Sequence, residues 1–352
     1  MGGAGNVLVD YALIPAIKIL VLLFLGVLPL ITYLVLIERK VLGFIQARVG
    51  PNRVGPWGLL QPIADVMKLL VKEDTLPRQA VKWAFVLAPC LVVAPAFIIL
   101  SVIPFGPPAS GTGRLSWFIT DVGTGVLFVI AVATIGVYGL IIGGWSSNSK
   151  FSLMGGLRSA AQMISYEVPQ GLSLVVPLMF AGTMSLVGIV EAQRDQHVWF
   201  LFKYPPIGLL AFFIYLVAGV AETNRNPFDL PEAESELVAG FHTEYSGMRF
   251  ALFFLGEYAN MIVISAVATT LFLGGWLPPF PHLLPALNHV PGIVWFVAKL
   301  FFFLFVYIWF RGTFPRYRFD QLMDLGWKWM IPLALANLAI TGAIRLWLIY
   351  PR

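Results

Sequence analysis

The chain has 352 residues, of which 59% are hydrophobic and only 12% charged, with a net charge of +5 and one cysteine. Ordinary soluble domains carry about 25% charged residues, so these numbers and a mean hydropathy of +0.83 exclude a soluble enzyme of this length. A lone cysteine, Cys90, excludes a disulfide framework and any four-thiolate iron-sulfur or zinc site within the chain, so redox metals, if the function needs them, belong to partners.

Residues 19–37, 83–113, 122–149, 168–190, 204–221 and 258–298 contain no Asp, Glu, Lys or Arg, and roughly 20 apolar residues suffice to cross a bilayer core as a helix. Cutting these runs at Pro, Gly and charge clusters predicts an all-α integral membrane protein, a single multi-span domain over residues 1–352. Its eight transmembrane helices are expected near 13–36, 82–103, 121–144, 157–180, 206–222, 249–273, 293–311 and 329–349. The uncharged run from Tyr258 is divided into two spans because Pro278, Pro279, Pro281, Pro285 and Pro291 interrupt it. The N-terminal Met-Gly-Gly-Ala-Gly-Asn lacks the basic stretch of a cleaved signal, so the first span is expected to be retained. Trp57, Trp83, Trp117, Trp145, Trp276 and Trp327 fall near predicted span ends, as in an interfacial aromatic belt.

Most Lys and Arg residues lie in or beside the loops joining spans 1–2, 3–4, 5–6 and 7–8. The positive-inside rule places these long loops in the cytoplasm, or an equivalent matrix, and both termini outside. The net charge is thus a topology signal first, with the lipid bilayer as partner and no nucleic acid.

The first inner loop begins Glu38-Arg39-Lys40 and continues Arg48-Val49-Gly50-Pro51-Asn52-Arg53-Val54-Gly55-Pro56. Gly50 and Gly55 have phosphate-loop spacing, but Pro56-Trp57 replaces the required Lys-Ser/Thr, so a nucleotide site is rejected. The Pro and Gly residues instead predict a compact basic docking loop in which Arg39, Arg48 and Arg53 offer planar contacts to partner carboxylates. Next, Leu59, Ile63, Val66 and Leu70 share one helical face while Gln61, Asp65, Lys68 and Lys72 share the other. An amphipathic helix near 58–72 lying in the interface plane is expected, either as a surface anchor or as the wall of an amphiphilic ligand's path.

Further along, Glu167 stands about nine residues after Arg158, roughly 13 Å into its helix. Glu222 closes the fifth span, Glu257 lies inside the sixth and Lys299 inside the seventh. Ionisable groups at such positions are costly and mark proton or ion routes, unless they form a static pair such as a carboxylate held to Lys299. The inner loop 222–248 is acidic, and residues 222–257 hold 7 of the chain's 18 acids: Glu222, Asp229, Glu232, Glu234, Glu236, Glu244 and Glu257. Mutual repulsion and burial of such groups favour protonation. The third span carries no acid, so a relay step there needs Tyr138 or water. His197, His242, His282 and His289 show no ligand spacing and no nucleophile motif is present, so no metal site and no catalytic residue is assigned.

These segments, together with Leu60-Gln61-Pro62-Ile63-Ala64-Asp65, Ser165-Tyr166-Glu167-Val168, Ala221 to Glu236 and Tyr317-Arg318-Phe319-Asp320-Gln321-Leu322, resemble the H subunit family of bacterial NADH:quinone oxidoreductases, called subunit 1 in mitochondrial complex I. The resemblance runs nearly end to end. It implies a subunit at the heel of a membrane arm, forming with peripheral-arm subunits the chamber that admits quinone. Flavin mononucleotide and iron-sulfur clusters would reside in those partners and quinone would be the substrate, so the isolated chain is expected to catalyse nothing. By the same resemblance, Arg39, Arg48, Asp65, Phe241, Arg311 and Arg316 would line or shape the quinone passage. Glu38, Glu167, Glu222, Glu232, Glu234, Glu236, Glu244 and Glu257 would carry the proton path, and Arg53, Arg225, Asp229 and Lys299 would serve docking or as structural charge. Two alternatives stay open: an equivalent subunit of a membrane-bound hydrogenase, and a stand-alone ion antiporter.

Overall fold

The computed structural model describes residues 13–108, 117–229, 238–279, 287 and 289–349. Ten helices appear among them, and no strand. They are α1 (Ile14–Ile45), α2 (Gln61–Val71), α3 (Lys82–Leu100), α4 (Gly125–Ser146), α5 (Lys150–Ala181), α6 (Leu186–Asp195), α7 (Ile207–Glu222), α8 (Gly247–Phe272), α9 (Gly292–Thr313) and α10 (Phe319–Leu348). Seven of these are long and apolar enough to cross a membrane; α7 is a shorter apolar helix of 16 residues. The chain is an all-α integral membrane protein, with α2 a separate amphipathic helix outside the spans.

Several helices are longer than the apolar runs alone suggest. The first span was expected to stop near 36, but α1 continues to Ile45 because Glu38, which would ordinarily end a membrane helix, is buried against cations. α5 begins at Lys150 rather than near 157, and Gly155 explains the extension. A Cβ there would lie 2.7 Å from the Gly240 backbone, so only glycine lets this end of α5 pack on the 3-10 turn Gly240–His242. α10 begins at Phe319 rather than near 329.

α1 and α10 share a device. Each contains a π segment, Leu22–Val27 and Leu325–Met330, followed after one residue by Pro29 and Pro332 respectively. Proline lacks an N–H and its ring clashes with the carbonyl four residues earlier, and the wider π turn accommodates both defects without breaking the helix. The short helix α6 was not expected from hydropathy. Ser185 caps it by accepting the Gly188 N–H at 3.1 Å, and the same hydroxyl donates to Asp121 at 2.8 Å.

α3 packs on α4 and α8, α5 packs on α4 and α7, and α8 runs through the middle. From Tyr258 to Leu273 nearly every residue of α8 is buried. That central placement carries Glu257 into the interior and sets two faces of α8 against different surroundings, one toward α1 and α2 and the other toward α3, α5 and α7.

Candidate functional site

Between α1, α2 and α8 lies a groove of about 450 Å³. Ile31 and Val35 of α1, Val66 and Leu69 of α2, and Ala251 and Leu255 of α8 make its apolar wall, and Arg39, Asp65, Lys68 and Lys72 add charged lining. α2 is held in place at both ends. Arg39 pairs with Asp65 at 2.7 Å, and Gln61 donates to the same carboxylate at 2.9 Å. Beyond its C-terminal end, the Thr75 N–H donates to the Ser246 hydroxyl at 2.9 Å and Arg249 pairs with Asp74 at 3.1 Å. The helix is therefore a strapped wall rather than a free surface anchor.

Behind the groove is a buried network of charge. Glu38, 3% exposed, accepts hydrogen bonds from Arg225 at 3.1 Å, from Arg311, and from the Tyr258 hydroxyl at 2.7 Å. Arg225 also pairs with Glu257 at 2.5 Å, and its guanidinium lies 4.4 Å from the centre of the Tyr258 ring. The sequence produces this by a turn: Asn224 adopts φ +50, a left-handed conformation that Asn tolerates better than most residues, and the chain after α7 brings Arg225 back under the bundle. Burial works against the Arg225 charge, but Glu257 and Glu38 outweigh it and hold the guanidinium protonated. Asp229 pairs with Arg316 at 3.0 Å, yet burial still pushes its carboxyl above the usual range. Groups of this kind are tolerated only when paired and hydrogen-bonded, and removal of one partner leaves an uncompensated charge.

Two small cavities continue from this network into the bundle. One, of about 30 Å³, touches Glu257, Glu222, Thr223, Asn224, Phe241, His242 and Asn260. The other, of about 40 Å³, touches Glu222, Glu167, Gln170, Tyr215 and Asn260. One carboxylate oxygen of Glu167 and one of Glu222 are buried without a hydrogen-bond partner. Buried polar atoms are nearly always satisfied by protein or by ordered water, and both of these carboxylates line the cavities.

The structure thus distributes the candidate residues among three places. Arg39 and Asp65 line the groove; Arg48, Phe241, Arg311 and Arg316 do not. Arg48 and Arg53 are exposed on the loop that follows α1, Arg48 bonding Gln46 at 2.7 Å. Phe241 is 3% exposed and packs with Phe85, Tyr245 and Phe253, next to the smaller cavity. Arg311 belongs to the charge network, together with Glu38, Arg225 and Glu257. Glu167, Glu222 and Glu257 follow one another along the cavities. Glu244 is half-buried and touches neither, and Glu232, Glu234 and Glu236 lie outside the described residues.

Lys299, for which a static pair with a carboxylate was the alternative reading, is held by backbone carbonyls instead. Its ammonium donates to the backbone carbonyls of Leu273, Gly275 and Leu277 at 2.6, 2.9 and 2.7 Å and sits over the Trp199 ring. It satisfies carbonyls of the cap and the turn that follow α8. Tyr138 is exposed on α4 and absent from both cavity walls, whereas Gly136 and Ala133 contribute to them. Tyr258, Asn260 and Gln162 were missed by sequence reasoning. Gln162 is fully buried and donates to the Ala221 and Phe228 carbonyls at 2.8 and 2.9 Å, tying α5 to the turn before Asp229. For Tyr258 and Asn260 a signal existed, since they stand one and three residues beyond Glu257, within a single helical turn. Among the described residues no three His, Cys, Asp or Glu side chains gather as metal ligands.

An apolar side groove backed by a line of ionisable groups through the bundle defines a polytopic membrane protein that sets an apolar groove against buried charge. Residues 17–342 match the family described as NADH dehydrogenase. The chain is 53% identical over 324 residues to an H subunit of the NADH-quinone oxidoreductase of Geobacter metallireducens, covering 92% of this chain and 94% of that protein. It is 52% identical to the H subunit of the Paraburkholderia xenovorans enzyme, covering 91% and 88%, and 50% identical to that of Geobacillus kaustophilus, covering 93% and 92%. The chain belongs to this NADH dehydrogenase family, that of the H subunits of NADH-quinone oxidoreductases.

Proposed function

We propose that the chain provides the quinone access path and the proton link in a proton-translocating NADH:quinone oxidoreductase. The observation that carries this reading is the shared wall: Tyr258 lines the groove and bonds Glu38 of the charge network. A polyisoprenoid tail gains about 0.8 kcal/mol per buried methylene, so a long apolar groove holds it with few hydrogen bonds. The headgroup would continue past Arg39 to a chamber completed by peripheral-arm subunits, whose flavin and iron-sulfur clusters supply the electrons. The other membrane-arm subunits would take up the path beyond Glu167. The basic inner loops, with Arg48 and Arg53 exposed, would dock the peripheral arm on the cytoplasmic side, leaving both termini outside. The names of the relatives support this reading over a hydrogenase-linked or stand-alone ion transporter.

In this scheme a reduced quinone draws protons, and the change in charge is felt by Glu257, Glu222 and Glu167 in turn. Carboxylates in a poorly solvated line cannot all be ionised, so they exchange protons as one coupled system. The test is Glu222→Gln and Glu257→Gln in the assembled complex, each nearly isosteric and unable to titrate. NADH oxidation with an artificial acceptor should stay intact while quinone turnover and proton pumping fall together, by about a hundredfold if a proton-transfer step is lost. Wild-type quinone turnover and pumping in both variants would reduce these acids to structural charges.

A further inference from the structure

The two cavities between Glu257 and Glu167 share two polar side chains, Glu222 and Asn260. Asn260 stands on α8 three residues after Glu257, about one turn deeper, on the same side of the helix. Its carboxamide makes no side-chain hydrogen bond to the described residues, although it carries two donor hydrogens and an acceptor oxygen. The neighbouring free oxygens of Glu167 and Glu222 are also without protein partners. A buried polar group with no protein partner is ordinarily met by water, and a cavity needs about 10–15 Å³ for each water it holds. The volumes of about 40 and 30 Å³ therefore accommodate about three and two waters respectively.

Glu222 can donate and accept a proton, but only by changing its charge. Asn260 never titrates; its amide can hold one water as donor and another as acceptor whatever the state of Glu222. We propose that Asn260 is the positioning residue that joins the two cavities into one hydrogen-bonded water path past Glu222. This assignment rests on the proton-link reading above and names the residue that keeps the path continuous. Apolar Val92 and Leu140 on one side and Val263 and Val267 on the other offer water nothing to bond, which leaves the junction to the amide.

The experiment uses the assembled complex with Asn260→Leu and Asn260→Ser, beside Glu222→Gln. Leucine keeps asparagine's branching and number of side-chain heavy atoms and abolishes its hydrogen bonding; serine is smaller, stays polar and leaves room for a further water. Asn260→Leu should lower quinone turnover and proton pumping together by at least about tenfold and raise the solvent deuterium isotope effect on turnover, because proton transfer becomes the slow step. Asn260→Ser should recover most of both activities. Packing alone orders the variants the other way, since leucine fills the space and favours the helix more than serine does. NADH oxidation with an artificial acceptor should be unchanged throughout. Wild-type behaviour of Asn260→Leu, or equal loss in both Asn260 variants, overturns the assignment. If Glu222→Gln is impaired while Asn260→Leu is not, the assignment falls alone; if neither is impaired, the proton-link reading falls with it.

Discussion

Glu38 and Arg39 are neighbours in sequence and do opposite things. One step along a helix turns the side chain by about 100°, so Glu38 enters the charge network while Arg39 faces the groove and Asp65. His242 shows how strongly surroundings set a residue's chemistry. It is 5% exposed among the rings of Phe241, Phe250, Phe253 and Phe254, and burial pushes its imidazole down to about 3. The unfolded chain takes up that proton near pH 6.5 whereas the folded chain resists until about pH 3. Stability from this group is therefore complete above the unfolded value and is lost as pH falls between the two. His242→Phe keeps the ring packing and removes the proton site, so the drop in melting temperature of the assembled complex between about pH 7.5 and about pH 5.5 should shrink. An unchanged drop would mean that other groups set the acid sensitivity. Composition and motif position pointed to Glu38, Arg225 and Glu257 one at a time, but their mutual pairing was hidden because they lie on α1, on the turn after α7 and on α8. Pairing at such separation depends on how helices pack, which no local spacing encodes.

Helix packing here relies on a few close backbone approaches. A Cβ at Gly139 would lie 2.6 Å from a methyl of Val92 and 2.9 Å from the Ala88 carbonyl, so α3 and α4 meet with no room for a side chain. Gly139→Ala should force the helices apart, costing about 1–3 kcal/mol as overpacking does, and should lower the yield of assembled complex on native gels. Gly342→Ala in α10, where the nearest atom is a methionine methyl at 3.7 Å, should assemble normally and serves as the control. The spans were readable because uncharged runs of bilayer length leave few other structures possible. Their ends were less so: α1 and α5 run past charged or glycine-rich residues that tertiary contacts make acceptable. The π segments of α1 and α10 were invisible to a reading based on hydropathy, although the prolines that accompany them were in plain view.

The amphipathic pattern of residues 58–72 made α2 itself legible in the sequence, as an interfacial helix or a wall. What could not be read was the double strap on α2, formed with residues 26 and 171 positions away in sequence. If the groove carries the quinone tail, a photoreactive quinone analogue should label residues between about 35 and 70, and labelling confined to the outer loops would contradict that use. Val66→Trp, which fills the groove from α2, should raise the apparent KM about tenfold, or roughly 1.4 kcal/mol, for long-tailed quinones and less for short-tailed ones. Equal effects on both would locate the tail elsewhere. The phenol of Tyr258 gives the groove a second significance, since it is a partition one side chain thick between oily and charged compartments. Whatever fills the oily side acts as insulation for the other. A hydrocarbon chain lying against that ring excludes water from the rear of the Glu38–Arg225–Glu257 network, and charges separated from water interact more strongly. If the groove holds a ligand's tail, that tail, chemically inert, would set the strength of an electrostatic contact that it never joins.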